Sequence, residues 1–156
     1  MLRIKDVMTK DVVTTTRSST VNKLIKLFLK HHIHLIPVVD REKKLVGVAS
    51  LTTLIRIFMP RYFDLIDDFS FISDFGILDE VFLAQASSDT EKLFLVDDVM
   101  ITRVISASPE DSLLKVSAIM HSNKIERIPV IDKNNRLIGI ISQSDIVLAI
   151  FKEKGQ

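Results

Sequence analysis

The sequence predicts an α/β (α+β) fold in which two copies of one unit pack through their sheets as an internal pseudo-dimer, with a helical insert between them. Three observations support this prediction. The 156 residues, 47% apolar and 26% charged, suffice for about one domain with a real core. Residues 6–58 align without a gap on residues 98–150, at an offset of 92, with 13 identities in 53 positions. Each copy alternates short aliphatic runs, typical of buried strands, with apolar residues at helical spacing.

Each copy begins with a predicted β-branched strand, at residues 12–14 and 104–106. A helix follows, and its apolar residues recur at the spacing of one buried face. In the first copy these residues are Val21, Leu24, Ile25, Phe28 and Leu29; in the second they are Leu113, Val116 and Met120, with Ser112 as the expected N-cap.

Two further strands are predicted in the first copy, at Leu35–Val39 and Leu45–Ala49, joined by a charged turn. Because both strands are almost entirely aliphatic, we expect a sheet that is covered on both faces. The last helix of each copy is predicted at residues 52–58 and 144–151. A unit of this length has only a thin core, so the two copies are expected to bury each other's apolar surface.

The predicted domain organisation is a first repeat at residues 1–58, an insert at 59–96 and a second repeat at 97–156. The insert contains eight acidic and two basic residues, six of the nine Phe and the only Tyr, a composition unlike that of a flexible linker. Two interpretations remain open: a helical hairpin packed over the pseudo-dimer, or a surface for a partner or for dimerisation. The apolar residues that mark its expected helix faces are Ile77, Leu78, Val81 and Phe82, and Tyr62, Phe63, Ile66 and Phe69.

Composition excludes several classes of function. Without cysteine, the chain has no disulfide, thiolate metal site or thiol nucleophile. A formal charge of +1 gives no overall attraction to nucleic acid or to an anionic membrane, and we expect neither as a partner. The longest apolar run, at residues 146–151, is far shorter than a membrane span, and the start of the chain does not resemble a secretory signal. We therefore expect a cytoplasmic protein.

No motif in the sequence indicates catalysis. The serines lack a Gly-x-Ser-x-Gly context, and the four glycines form no phosphate-binding loop. His31 and His32 are adjacent but lack the other ligands of a metal site, so a solvent-facing helix end explains them better. We predict no catalytic residue, no metal site and no enzymatic activity.

One segment could hold a ligand. Residues 139–145 end a predicted strand and open a helix, with Ser142, Ser144 and Asp145 near the helix N-terminus. A carboxylate there can accept both hydroxyl hydrogens of a ribose. Alternatively, Ser142 or Ser144 caps the helix and Asp145 is merely favourable in its first turn.

The duplicated pattern resembles the cystathionine β-synthase (CBS) domain, paired as in a Bateman module. Three motifs carry the resemblance in both copies, over about two thirds of the chain. They are Asp6-Val7-Met8 with Asp98-Val99-Met100, Ile36-Pro37-Val38-Val39-Asp40 with Ile128-Pro129-Val130-Ile131-Asp132, and Gly47-Val48-Ala49-Ser50 with Gly139-Ile140-Ile141-Ser142.

The resemblance implies a regulatory module that binds an adenosine compound such as AMP, ADP, ATP or S-adenosylmethionine in clefts between the copies. In the first cleft, adenine would lie against aliphatic side chains, the ribose on Asp145 and the phosphates toward His34. Family members often have Arg one residue after that His, whereas this chain has Leu35, which weakens the case for a triphosphate. The residues implied for this cleft are Val12, Val13, Ile33, His34, Pro37, Ile140, Ser142, Ser144 and Asp145.

The resemblance implies a second, weaker cleft. It has Thr53 where the ribose carboxylate belongs, and Arg127, preceded by Glu126, in the phosphate-facing position. We expect this cleft to be empty or to bind something else, so that each chain holds one nucleotide. Its residues would be Ser50, Thr52, Thr53, Val104, Ile105, Arg127 and Pro129.

Two classes of function are therefore expected. The first is an adenosine-nucleotide sensor that signals to a regulated protein partner. The second is a structural or interaction module with vestigial clefts, acting through dimerisation and the aromatic insert. The family resemblance also implies a homodimer.

Overall fold

The computed structural model of the chain describes residues 1–58, Glu80 and residues 94–155. The predictions for the interior of the insert, including both expected helix faces, lie outside these residues. The elements of the described residues are α1 (Ile4–Val7), α2 (Val21–His31), β1 (Leu35–Val39), β2 (Leu45–Ser50), α3 (Leu51–Phe58), α4 (Val96–Val99), α5 (Leu113–Asn123), β3 (Arg127–Ile131), β4 (Leu137–Ser142) and α6 (Gln143–Lys154).

Each repeat contains one antiparallel hairpin, β1–β2 or β3–β4. The two hairpins have equivalent registers, and each has an irregularity near its turn, at Val38/Val39 and at Val130/Ile131. An aspartate begins both turns: the Oδ1 of Asp40 accepts from the backbone N–H groups of Glu42 and Lys44 at 2.9 Å. Asp132 accepts the equivalent pair in the second repeat. The charged turn of the first repeat is thus built like the more typical turn of the second.

The prediction of a first strand at residues 12–14 and 104–106 is wrong. The backbone there forms only one isolated parallel bridge in each repeat, Thr15 with Val38 and Ala107 with Val130. Thr15 donates to the carbonyl of Pro37 and accepts from the N–H of Val39. The next bond of this ladder would need an N–H from Pro37, which proline lacks. Pro129 ends the ladder of the second repeat for the same reason.

The helices α2 and α5 bury one face, as predicted. Val21, Leu24 and Phe28 are buried on α2, and Val116 and Met120 on α5. Ser112 caps α5 by accepting from Lys115 N–H, and Thr20 caps α2 in the same way. Leu29 is the exception to the predicted stripe: it is 70% exposed, because it lies at the edge of the apolar face next to the end of α2.

The segment at the start of each repeat, called its arm, packs on the other repeat. The arm at residues 3–9 leaves its own repeat: Ile4 is fully buried in the core formed by α5, β3 and β4, and Thr9 pairs with Ile140 on β4. The arm at residues 95–101 does the reverse, with Val96 buried in the first repeat's core and Ile101 paired with Val48 on β2. Each core is therefore completed by the other repeat's sequence.

The glycines of β2 and β4 make room for these arms. A Cβ added at Gly47 would lie 2.8 Å from the carbonyl oxygen of Ile101. At Gly139 it would lie 2.5 Å from the Met8 sulfur and 3.0 Å from the Thr9 carbonyl oxygen. Met8 belongs to the Asp-Val-Met motif of the first repeat, and Gly139 to the Gly-aliphatic-aliphatic-Ser motif of the second. Two motifs that lie far apart in the sequence therefore pack against each other.

The two hairpin tips also pair with each other. Leu45 N–H donates to the carbonyl of Asn135, and Leu137 N–H donates to that of Lys43, both at 3.0 Å. These four residues are related by the offset of 92, so the contact follows a pseudo-two-fold axis between the repeats. The predicted α+β pair with internal pseudo-symmetry is confirmed.

Candidate functional site

The main cavity, of about 240 Å3, lies between the two repeats, at the point where β4 passes into α6. The first repeat contributes residues 9–13, at and after the end of its arm, and residues around the start of β1. The second repeat contributes the start of β3, the end of β4 and the first turn of α6. The lining residues are Thr9, Asp11, Val12, Val13, Ile33, Leu35, Arg127, Ile140, Ser142 and Asp145.

The two carboxylate oxygens of Asp145 have different surroundings: Oδ2 accepts hydrogen bonds from Ser142, and Oδ1 accepts none from the described residues. Its Oδ2 accepts from the backbone N–H of Ser142 at 2.9 Å and from the Ser142 hydroxyl at 2.7 Å. Ser142 in turn accepts from the N–H of Asp145 at 3.1 Å, which completes a capping box at the start of α6. Within the described part of the chain, Oδ1 has no hydrogen-bond partner. The capping interpretation is thus correct, but it uses only one of the two carboxylate oxygens.

Six of the nine residues predicted for the first cleft meet on this cavity. Val12, Val13, Ile33 and Ile140 supply aliphatic walls, and Ser142 and Asp145 supply the polar end. All six are half-buried, so they are reachable by a ligand yet fixed by packing. An aliphatic cleft with a few polar groups at one end is the usual form of a small-molecule site.

The other three predicted residues lie elsewhere. Ser144 is exposed and lines a smaller adjoining cavity of about 130 Å3. Pro37 is buried in β1, outside the lining of the main cavity. His34 is exposed and lines a separate, largely apolar cavity of about 250 Å3 beside α2. The backbone carbonyl of His34 accepts from Leu51 N–H at the start of α3.

Sequence reasoning missed two lining residues, Thr9 and Asp11, and named Leu35 only as a departure from the family pattern. Arg127 was assigned to the second cleft, but it lines the first cavity and the adjoining one. The signal that could have revealed this is the offset of 92, which makes Leu35 and Arg127 equivalent residues at the first positions of β1 and β3. Since equivalent residues lie on opposite sides of a pseudo-two-fold axis, both can reach a cavity close to that axis.

The residues predicted for the second cleft form a different arrangement. Thr53 is only 6% exposed, and its hydroxyl donates to the carbonyl of Ser50 at 2.8 Å. The Ser50 hydroxyl pairs with that of Thr52 at 2.9 Å. These polar groups therefore satisfy one another. Val104 is half-buried, Ile105 is exposed and Pro129 is buried, and none of the three lines a cavity described above.

A cavity of about 350 Å3 lies on the far side of Asp145, between α1 and α6. Its lining includes Asp6, Leu148 and Lys152, and no strand residue lines it.

Across residues 1–58, 80 and 94–155, no group of three acidic or His side chains could hold a metal ion. In the same residues, no helix combines the length and apolar character needed to cross a membrane.

The model of the CBS domain family matches residues 4–60 and residues 96–152. The chain belongs to the CBS domain family. The two matches, in tandem, confirm the pair indicated by the sequence motifs. CBS pairs are ligand-binding regulatory modules in general, and in some proteins they form part of a longer enzyme.

Two curated relatives from Methanocaldococcus jannaschii differ in how much of their length the match covers. An uncharacterised protein is 28% identical over 96% of this chain and 92% of its own length. An inosine-5'-monophosphate dehydrogenase is 31% identical over 91% of this chain, which corresponds to only 22% of the dehydrogenase. The CBS pair thus makes up nearly all of one relative and a minor part of another.

Solved structures share the fold over its whole length. CBSX2 of Arabidopsis thaliana, in complex with AMP, has a TM-score of 0.73, with 23% identity and 99% of each chain covered. The CBS domain pair of protein MJ0100, in complex with 5'-methylthioadenosine and S-adenosyl-L-methionine, has a TM-score of 0.70, with 22% identity and 98% of each chain covered.

Proposed function

We propose that this CBS pair is a regulatory module that binds an adenosine-type compound in the cavity between its repeats. The observation that carries the proposal is Asp145, whose Oδ2 is held by Ser142 while Oδ1 lacks a described donor at the cavity wall. A ribose offers two hydroxyl donors, and a carboxylate oxygen without a donor is their natural acceptor.

The rest of the cavity suits the base of such a compound. Val12, Val13, Ile33 and Ile140 present aliphatic surface on both sides of the cleft, against which a flat adenine ring would lose its contact with water. Structural neighbours of the same fold were solved with AMP, and with 5'-methylthioadenosine and S-adenosyl-L-methionine, which supports adenosine as the shared part of the ligand.

The cavity joins segments of both repeats, and this suggests how binding would be signalled. Thr9 ends the arm at residues 3–9 and Val12 follows it, whereas Asp145 belongs to the opposite repeat. A ligand that contacts all of them would fix the arrangement of the repeats, and a protein partner could read that change. We propose one ligand per chain, because the hydroxyls of the second cleft are already paired.

Calorimetric titration with AMP and 5'-methylthioadenosine tests the proposal through matched variants. Asp145→Ala and Thr53→Ala remove equivalent capping contacts from α6 and α3, so each should lower stability by about 0.5–2 kcal/mol. Only Asp145→Ala should weaken the ligand, at least about tenfold, because it also removes the ribose acceptor. Equal affinity losses in both variants would contradict the assignment to one cavity. No binding to the wild type would instead favour an interaction module with vestigial clefts.

We further propose that the protein is a homodimer. Helix α6 carries Val147, Leu148 and Phe151 at 49%, 58% and 69% exposure, and Ile55 on α3 is 49% exposed. Apolar side chains grouped on the last helix of each repeat are typical of an interface. Light scattering at tens of micromolar should give about twice the 17.7 kDa of one chain. The mass of a single chain would rule the dimer out.

A further inference from the structure

The main cavity and the smaller one beside it have a marked excess of negative charge. The ionisable lining residues of the two are three carboxylates, Asp11, Glu126 and Asp145, and one guanidinium, Arg127. Neither cavity has a Lys or His among its described lining residues. Asp145 is the proposed ribose acceptor, so a group attached to the ribose would meet Arg127 together with Asp11 and Glu126.

The two cavities share Arg127 and Ser142, so a ligand in the larger one can extend into the smaller one. The smaller cavity is lined by Glu126, Arg127, Ser142, Gln143 and Ser144, at the N-terminus of α6. Arg127 is therefore the cation that such an extension would reach.

Of the two pseudo-symmetric positions at the starts of β1 and β3, one carries a cation and the other does not. Leu35 and Arg127 are equivalent residues, and both line the main cavity. An Arg at both positions would give the cavity two guanidinium groups, enough to compensate a chain of phosphates. This chain has an aliphatic side chain at one position, and Asp11 lies in the same lining.

Resting on the proposed function, we propose that this cavity selects adenosine compounds with at most one phosphate at the 5' position, and that Leu35 and Asp11 exclude adenosine polyphosphates. A single phosphate already carries about −1.5 to −2 charge at pH 7, and each further phosphate adds to it. One Arg can compensate a single phosphate through a bidentate contact, but the second and third phosphates would meet carboxylates without a cation. A thioether in place of the phosphate has no charge to compensate.

The test compares 5'-methylthioadenosine, AMP and ATP by calorimetric titration of the wild type and three variants. The wild type should bind both of the first two compounds at least about tenfold more tightly than ATP. Leu35→Arg should raise ATP affinity at least about tenfold, since a charge-assisted hydrogen bond is worth that factor, and should therefore raise the ratio of ATP affinity to 5'-methylthioadenosine affinity. Arg127→Gln should weaken AMP by a similar factor and should weaken 5'-methylthioadenosine, which has no phosphate, by less.

Asp11→Asn covers the case in which Leu35→Arg fails to fold. Asp11 is exposed, so its replacement should leave the melting temperature unchanged while it raises ATP affinity. The selectivity is overturned if the wild type binds ATP as tightly as AMP or 5'-methylthioadenosine, or if neither Asp11→Asn nor a folded Leu35→Arg improves ATP binding. Failure of the wild type to bind any of the three compounds overturns the proposed function as well, so the two failures are distinguishable.

Discussion

Ile4 belongs to the first repeat in sequence, but its replacement should destabilise the second repeat, in whose core it is buried. Ile4 is completely buried among residues of α5, β3 and β4, including Val116, Ile128 and Ile141. Truncation of a buried Ile to Ala removes apolar contacts and leaves a cavity, at a cost of about 2–5 kcal/mol. In a chain of this length, each kcal/mol lowers the melting temperature by about 2–4 °C. Ile4→Ala should therefore lower it by about 4–20 °C.

Native-state hydrogen exchange can locate this loss. In Ile4→Ala, the amides of β3 and β4 should exchange faster, because the missing side chain supported their core. The matched control is Val96→Ala, which truncates the equivalent residue of the other arm and should act on β1 and β2. The reasoning is refuted if Ile4→Ala accelerates exchange only in β1 and β2, or if it leaves the stability unchanged.

Two further predictions concern packing and pH. Gly47→Ala should cost about 1–3 kcal/mol in urea unfolding, because the added Cβ would lie 2.8 Å from the Ile101 carbonyl oxygen. Gly155→Ala, whose nearest atom lies at 3.5 Å, should change little, and equal effects of the two would contradict the crossing-arm contact. At Asp111, burial raises the carboxyl pKa, but hydrogen bonds from Lys115 and Ser108 N–H, with the Lys115 charge, outweigh it and leave the pKa below 3.8. This carboxylate therefore stabilises the fold fully above its unfolded-state pKa and loses that contribution as the pH falls through the lower folded value. Asp111→Asn should be less stable than the wild type at pH 7, and the deficit should shrink as the pH falls through the folded-state pKa of the carboxyl. A deficit that keeps its size across the acid range would refute this origin.

The elements of each repeat could be predicted because their signals are local. The apolar spacing of Val21, Leu24 and Phe28 defines one helix face, and the aliphatic runs at residues 35–39 and 45–49 define a hairpin. The same local reasoning failed for the strand at residues 12–14. A longer ladder there would need a hydrogen bond that Pro37 cannot donate. This obstacle could be foreseen only from the register of the pairing between this segment and β1, which is not local in sequence.

The exchange of arms was not predictable from one copy of the motif. Met8 and Gly139 lie far apart in the sequence, and nothing local indicates that the first packs on the second rather than on Gly47. The same limit affected the site. Asp145 and the aliphatic walls could be located by motif, whereas the position of Arg127 depends on how closely the two repeats approach their pseudo-two-fold axis.

A crystal structure of the protein soaked with 5'-methylthioadenosine would test the central claim most directly. We expect one ligand per chain in the cavity between the repeats, with its ribose hydroxyls at hydrogen-bond distance, about 2.5–3.0 Å, from Oδ1 of Asp145. Adenine should lie between the aliphatic side chains of Val13 and Ile140. A ligand that occupied the cleft at Thr53 instead, or a ribose without a contact to Asp145, would contradict the proposed site.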